Sequence, residues 1–185
     1  MSALRLFVAL DLPPEARAAL AAFRDAAADA ATWRPVGDDA LHLTLAFLGD
    51  RPGDDVAAVA RVLEECAGPA PGLTLGGALL LPPRRARVLC VEVREEGGAL
   101  AALQARVAGG LAAAGVYEPE SRPFRAHATV ARLRPRARAP REAPSAAPEP
   151  LSFHGEALAL YASHRHPVGA RYEAHARVPL GAPVS

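Results

Sequence analysis

Two short stretches of this 185-residue chain carry one pattern, "LHLTLAFL" from Leu41 and "AHATVARL" from Ala126. Each reads histidine, apolar residue, threonine, apolar residue, inside an apolar run typical of a strand. Side chains two apart on a strand face the same way, about 6.5–7 Å apart. His42 and Thr44 therefore share one face, with Leu43 and Leu45 behind them. His127 and Thr129 do the same in the second copy, backed by Ala128 and Val130. A single His-x-Thr reads as an ordinary structural histidine. With six histidines and four threonines in the chain, chance supplies roughly 0.13 such pairs, and motif matches need that caution. Two occur, 85 residues apart, so the pairing carries the argument.

Two imidazoles and two hydroxyls facing one cleft suit phosphodiester cleavage. A neutral imidazole takes a proton from an attacking water while a protonated one gives a proton to the leaving oxygen. The ordinary histidine pKa, near 6.5, lets both forms coexist close to neutrality. Threonine hydroxyls donate to the non-bridging phosphate oxygens as charge builds on them. Such a scheme needs neither metal nor cofactor.

Other candidates are weaker. His164 and His166 have the i, i+2 spacing of a metal pair, but no acidic or cysteine cluster adjoins them in sequence. His154 and His175 read as surface or strand residues. Cys66 and Cys90 form no CxxC and sit in apolar surroundings, which makes them buried free thiols in a reducing, cytoplasmic setting. There is no apolar run of membrane-spanning length and no signal peptide, so a membrane partner is not expected. The net charge of +1 does not describe a general polyanion binder. All 21 basic residues are arginine, and lysine, asparagine and isoleucine are absent. That bias makes any single arginine weak evidence for phosphate binding.

The elements that must hold the motifs follow from periodicity. "LRLFVAL" reads as a strand, and Pro13-Pro14-Glu15 opens an Ala-rich helix. "TWRPVGDDA" is a turn-rich connector into the first histidine strand. A helix with Asp54 or Asp55 at its N-cap sets Val56, Val59, Leu63 and Cys66 at helical spacing, and stops at Gly68-Pro69. Two strands flank "PPRR", and a further helix ends near Gly115 before the second histidine strand. "LSFHGEALALYAS" and "RYEAHARVPL" read as two closing strands. Residues 134–150, rich in Pro, Ala and Arg, read as a long flexible loop. This order is an α+β pattern. It implies one bilobal, pseudo-two-fold domain over residues 1–185, with antiparallel sheets lining a central cleft and helices packed outside.

These residues resemble the two-histidine phosphoesterase superfamily, and closely its bacterial RNA 2′,3′-cyclic phosphodiesterases, also called 2′-5′ RNA ligases. The resemblance rests on "RLFVALDLPPEARAAL", on Trp33 before "LHLTLAFLGD", on "RPFRAHATVAR" and on "LALYASHRHPVGARYEAHARVPL". It implies that His42 is the proton donor and His127 the acceptor, that Thr44 and Thr129 bind phosphate, and that Arg132 lies near it. The implied reaction opens a 2′,3′-cyclic phosphate RNA end, such as that of a tRNA half, to a 2′-phosphate, with reversible 2′-5′ ligation as the reverse. It further implies a monomer acting in bacterial RNA processing. The chain departs from the common "RPHLTLAR" in having Ala126 and Ala128, and from a common leucine at Arg165. The alternatives are a non-catalytic nucleotide- or RNA-binding module, and a phosphodiesterase for small cyclic nucleotides.

Overall fold

The computed structural model describes residues 3–166 and 169–183, and of residues 165, 166, 169 and 170 the backbone alone. In chain order the elements are β1 (Ala3–Asp11), α1 (Pro14–Ala27), β2 (Trp33–Pro35), β3 (His42–Pro52), α2 (Asp55–Cys66), β4 (Gly72–Leu81), β5 (Val88–Glu95), α3 (Ala99–Ala113), β6 (His127–Leu133), β7 (Ser152–His154), β8 (Ala157–His166) and β9 (Gly169–Pro179). The strands form one antiparallel sheet in the order β7-β4-β5-β6-β3-β1-β8-β9, with β2 added on β6. The sheet curls into a half-barrel. The β3–β6 seam divides this one sheet into two halves. Each half contains a strand–helix–strand unit, β1-α1-β3 and β5-α3-β6, whose last strand is a histidine strand.

Local chemistry explains the helices. Pro14 sits where a helix lacks amide partners, and Glu15 complements the dipole of α1. Ala16, Leu20 and Phe23 form its buried stripe. Its Arg24 is also buried, donating to the Val36 carbonyl and pairing with Asp25 and Asp38 at 2.8 and 2.7 Å. This bond set fastens the connector that leads into β3. α3 begins after Gly98, which has no side chain to cap it. The Glu95 carboxylate instead accepts the amides of Leu100 and Ala101. α1 packs against β6 and α3 against β3, so each half's helix supports the other half's histidine strand.

Two expectations from sequence need correction. The connector "TWRPVGDDA" contains β2, paired with β6 from Trp33–Leu133 to Pro35–Ala131. A three-residue strand made by pairing with a distant strand leaves no local periodicity. "LSFHGEALALYAS" is two strands, because the chain crosses from one end of the sheet to the other at Gly155. β7 pairs with β4, while β8 pairs with β1. A side chain at Gly155 would lie 2.8 Å from the buried Leu10 side chain, so anything larger than glycine there must displace it. Asp54 does stand at the start of α2, but its side chain makes no capping bond.

Candidate active site

The two motifs meet at the seam. Leu43 pairs with Ala128, which sets His42 beside Thr129 and Thr44 beside His127 on the opposite face. Residues diagonal across such a pair have Cα atoms about 7–8 Å apart. Leu43 and Ala128 are both fully buried beneath. His42, Thr44, His127, Thr129 and Arg132, with Val36, Ala40 and Tyr172, line one small cleft. The five residues singled out from sequence are thus brought together.

Strand alternation alone would turn Arg132 away from Thr129, three residues earlier. A β-bulge resolves this. Leu89 pairs with Ala131 and Cys90 with Thr129, leaving Val130 as the extra residue. The bulge shifts the alternation and aims Arg132 into the cleft. β3 repeats the device at the same motif position. Ala9 pairs with Thr44 and Val8 with Ala46, leaving Leu45 extra. There the re-aimed residue is Phe47, 41% exposed, with the Arg5 guanidinium 4.7 Å above its ring. Both bulge carbonyls are satisfied, Leu45 O by the Gln104 side chain at 3.2 Å and Val130 O by the Val36 amide at 2.9 Å.

The imidazoles are held in mirrored fashion. Nδ1 of His42 donates to the Ala40 carbonyl at 2.8 Å, and Nδ1 of His127 to the Arg125 carbonyl at 2.7 Å. These bonds assign the Nδ1–H tautomer to each neutral ring and leave Nε2 as the reactive nitrogen. The surroundings then diverge. His42 stacks on Phe7 at 4.9 Å between centroids and meets the edge of Tyr172 at 5.4 Å. Burial in this aromatic setting pushes its pKa down to about 4. The Ala40 bond and Asp11 oppose the shift, whereas Arg132 and His127 add to it. Its Nε2 accepts from the Thr44 hydroxyl at 3.1 Å. Thr129 instead engages the Cys90 thiol at 3.6 Å. Burial raises the pKa of that thiol to about 11, so it stays protonated. The corresponding neighbour of Thr44 is Ala9, which offers no such group.

Sequence reasoning missed the aromatic setting of His42 and the Cys90–Thr129 contact. Phe7 and Tyr172 reach His42 because β1, β3, β8 and β9 are neighbours in the sheet, an order no local pattern shows. Behind His42, Asp11 accepts from Tyr161 at 2.8 Å and from Arg177 at 2.7 Å. None of His154, His164 and His175 lines the cleft. His154 ends β7, exposed, and His175 lies on β9. His164 is exposed and bonds Glu173 at 3.0 Å, while the His166 side chain lies outside the described residues. No group of three or more metal-ligating side chains gathers among the described residues. Cys66 and Cys90 are free and buried, and no helix among the described residues is long and apolar enough to cross a membrane.

This geometry has close parallels. An RNA 2′,3′-cyclic phosphodiesterase of Thermus thermophilus is 34% identical over 179 residues, covering 91% of this chain and 86% of its own. The Escherichia coli protein of the same name is 34% identical over 130 residues, 69% of this chain and 71% of its own. Among solved structures, TT0787 of Thermus thermophilus superposes with a TM-score of 0.82 at 29% identity, covering 96% of this chain and 98% of that one. Escherichia coli LigT, in its apo form, gives 0.79 at 30% identity, with 97% and 99% covered. A family model described as the 2′-5′ RNA ligase superfamily matches residues 12–167, and the chain belongs to that superfamily.

Proposed function

We propose that the chain opens RNA 2′,3′-cyclic phosphate ends to 2′-phosphates by paired histidine acid–base catalysis, without a metal. The observation that carries this reading is the mirrored pair of imidazoles, each fixed through Nδ1 to a carbonyl two residues back. The activity that names its relatives supports it. His127 Nε2 takes a proton from water as the water oxygen attacks phosphorus. The bond from phosphorus to the 3′ oxygen breaks, and His42 Nε2 delivers the proton that this oxygen needs. Thr44, Thr129 and Arg132 hold the non-bridging oxygens. His42 rests neutral, since its pKa is about 4. The negative charge of the bound phosphate, placed beside it, raises its proton affinity for the donor role. When a 5′-hydroxyl replaces water, the same steps form a 2′-5′ linkage.

The test is a short RNA ending in 2′,3′-cyclic phosphate, incubated with the protein in EDTA. The expected product is the 2′-phosphate; a 3′-phosphate, or no product, refutes the assignment. His42→Ala and His127→Ala should each lower turnover by about 10²- to 10⁴-fold, the usual contribution of one acid or base. A harmless replacement at either position refutes the two-histidine scheme.

A further inference from the structure

The near-zero net charge hides a strong asymmetry. Residues 82–87 and 134–141 hold seven arginines and no acidic residue, leaving the rest of the chain at a net −6. Arg84, Arg85 and Arg87 occupy the turn between β4 and β5, and all are exposed. Arg134, Arg136, Arg138 and Arg141 follow β6, again exposed. The fold brings the two segments to one end of the sheet, since Val88 pairs with Arg132 and the Leu133 amide bonds the Arg87 carbonyl at 2.8 Å. The start of the second segment is anchored. The Arg134 amide bonds the Thr32 carbonyl at 3.0 Å, and its Nε bonds the Ala30 carbonyl at 2.7 Å.

What sets the two segments apart is their density, seven arginines in 14 positions with no acidic residue. Elsewhere five arginines, Arg24, Arg51, Arg94, Arg122 and Arg177, pair with carboxylates, while others such as Arg17 and Arg61 have no ion pair among the described residues. Among the described residues none of the seven pairs with a carboxylate. The patch also begins two residues beyond Arg132, which faces the cleft, and Arg132 itself is flanked across the strands by Arg34. Unpaired positive charge therefore runs from the cleft out along one end of the sheet.

We propose that this patch binds the phosphate backbone of the RNA strand upstream of its cyclic end. The inference rests on the RNA-end reading above and adds the path of the polymer. Neither segment contains an aromatic residue, so the contact has no stacking platform and reads charge, not sequence. Single-stranded binding through Z phosphates loses affinity with a log–log salt slope of about −0.7Z.

The experiment compares 2′,3′-cyclic AMP with a decanucleotide ending in 2′,3′-cyclic phosphate, on the wild type and on R84Q/R85Q/R138Q/R141Q. For three or four contacted phosphates, the KM of the decanucleotide should rise about 20- to 50-fold between 50 and 200 mM salt. That of the mononucleotide should barely move. The variant should open the mononucleotide at the wild-type rate while its KM for the decanucleotide rises to the mononucleotide value. Equal KM values for both substrates on the wild type, or an unchanged decanucleotide KM in the variant, overturn the proposal. Fluorescence anisotropy with a labelled decanucleotide ending in a 3′-phosphate reads the patch without turnover. Tight, salt-sensitive binding that the variant loses supports the patch even if neither substrate is opened, an outcome that would refute the catalytic reading alone. Binding that is absent, or unchanged in the variant, overturns it.

Discussion

Tyr172→Ala should return His42 toward ordinary histidine behaviour. The wild-type ring is covered by Phe7 on its face and by Tyr172 at its edge, and burial is the leading cause of a pKa near 4. From an unfolded value of about 6.5, that depression corresponds to about 3 kcal/mol. The sign follows from proton binding. Between pH 6.5 and 4 the unfolded chain holds a proton on His42 and the folded protein does not. Stability associated with His42 is therefore full above pH 6.5 and falls as pH drops through the folded pKa. Removing the Tyr172 ring admits water along one edge, and a rise of at least one unit, about 1.4 kcal/mol, should follow. The assay is an NMR titration of the imidazole Cε1 protons, with His42 assigned by its loss in His42→Gln. Inorganic phosphate added to the wild type should also raise the His42 value, because the anion favours the imidazolium. Urea unfolding from pH 4 to 7.5 gives an independent reading, the variant showing a shallower acid loss than the wild type. Titration of wild-type His42 near 6.5, or an unchanged value in the variant, would refute the role given to the aromatic surroundings.

Other outcomes follow from single contacts. Cys90→Ala should lower turnover several-fold by freeing the Thr129 hydroxyl, and Cys90→Ser should restore most of it, since a hydroxyl also hydrogen-bonds; equal loss in both refutes the contact. Gln104→Leu leaves the Leu45 bulge carbonyl without its side-chain donor and should destabilise by about 1–3 kcal/mol in urea unfolding. Gly155→Ala forces a methyl group to 2.8 Å from Leu10 and should lose about 1–3 kcal/mol in the same assay.

The histidine strands were legible because period-two alternation is a local property, and both motifs show it over four residues. The three helices were legible for the same reason, through stripes such as Leu100, Leu103 and Val107. What depended on strand order was not. Phe7 and Tyr172 lie 165 residues apart in the chain and 4.9 Å apart between ring centroids. The aiming of Arg132 needs the bulge at Val130, and a bulge is a mismatch with a partner strand that the sequence of β6 alone does not contain. Trp33–Pro35 is a strand by virtue of β6, and the break at Gly155 becomes visible when β7 and β8 take different neighbours.

The crossing at Gly155 also acts at a distance. β3 and β6 share the single backbone pairing of Leu43 with Ala128 at the seam, so the seam alone is a slender tie between the halves. The continuous chain from β7 into β8 runs between their outer portions, and Pro69 bridges Gly181 beside it. Residues 154–156 thus join the two halves at their outer strands, so the halves are tied at the rim as well as at the seam where the histidines meet.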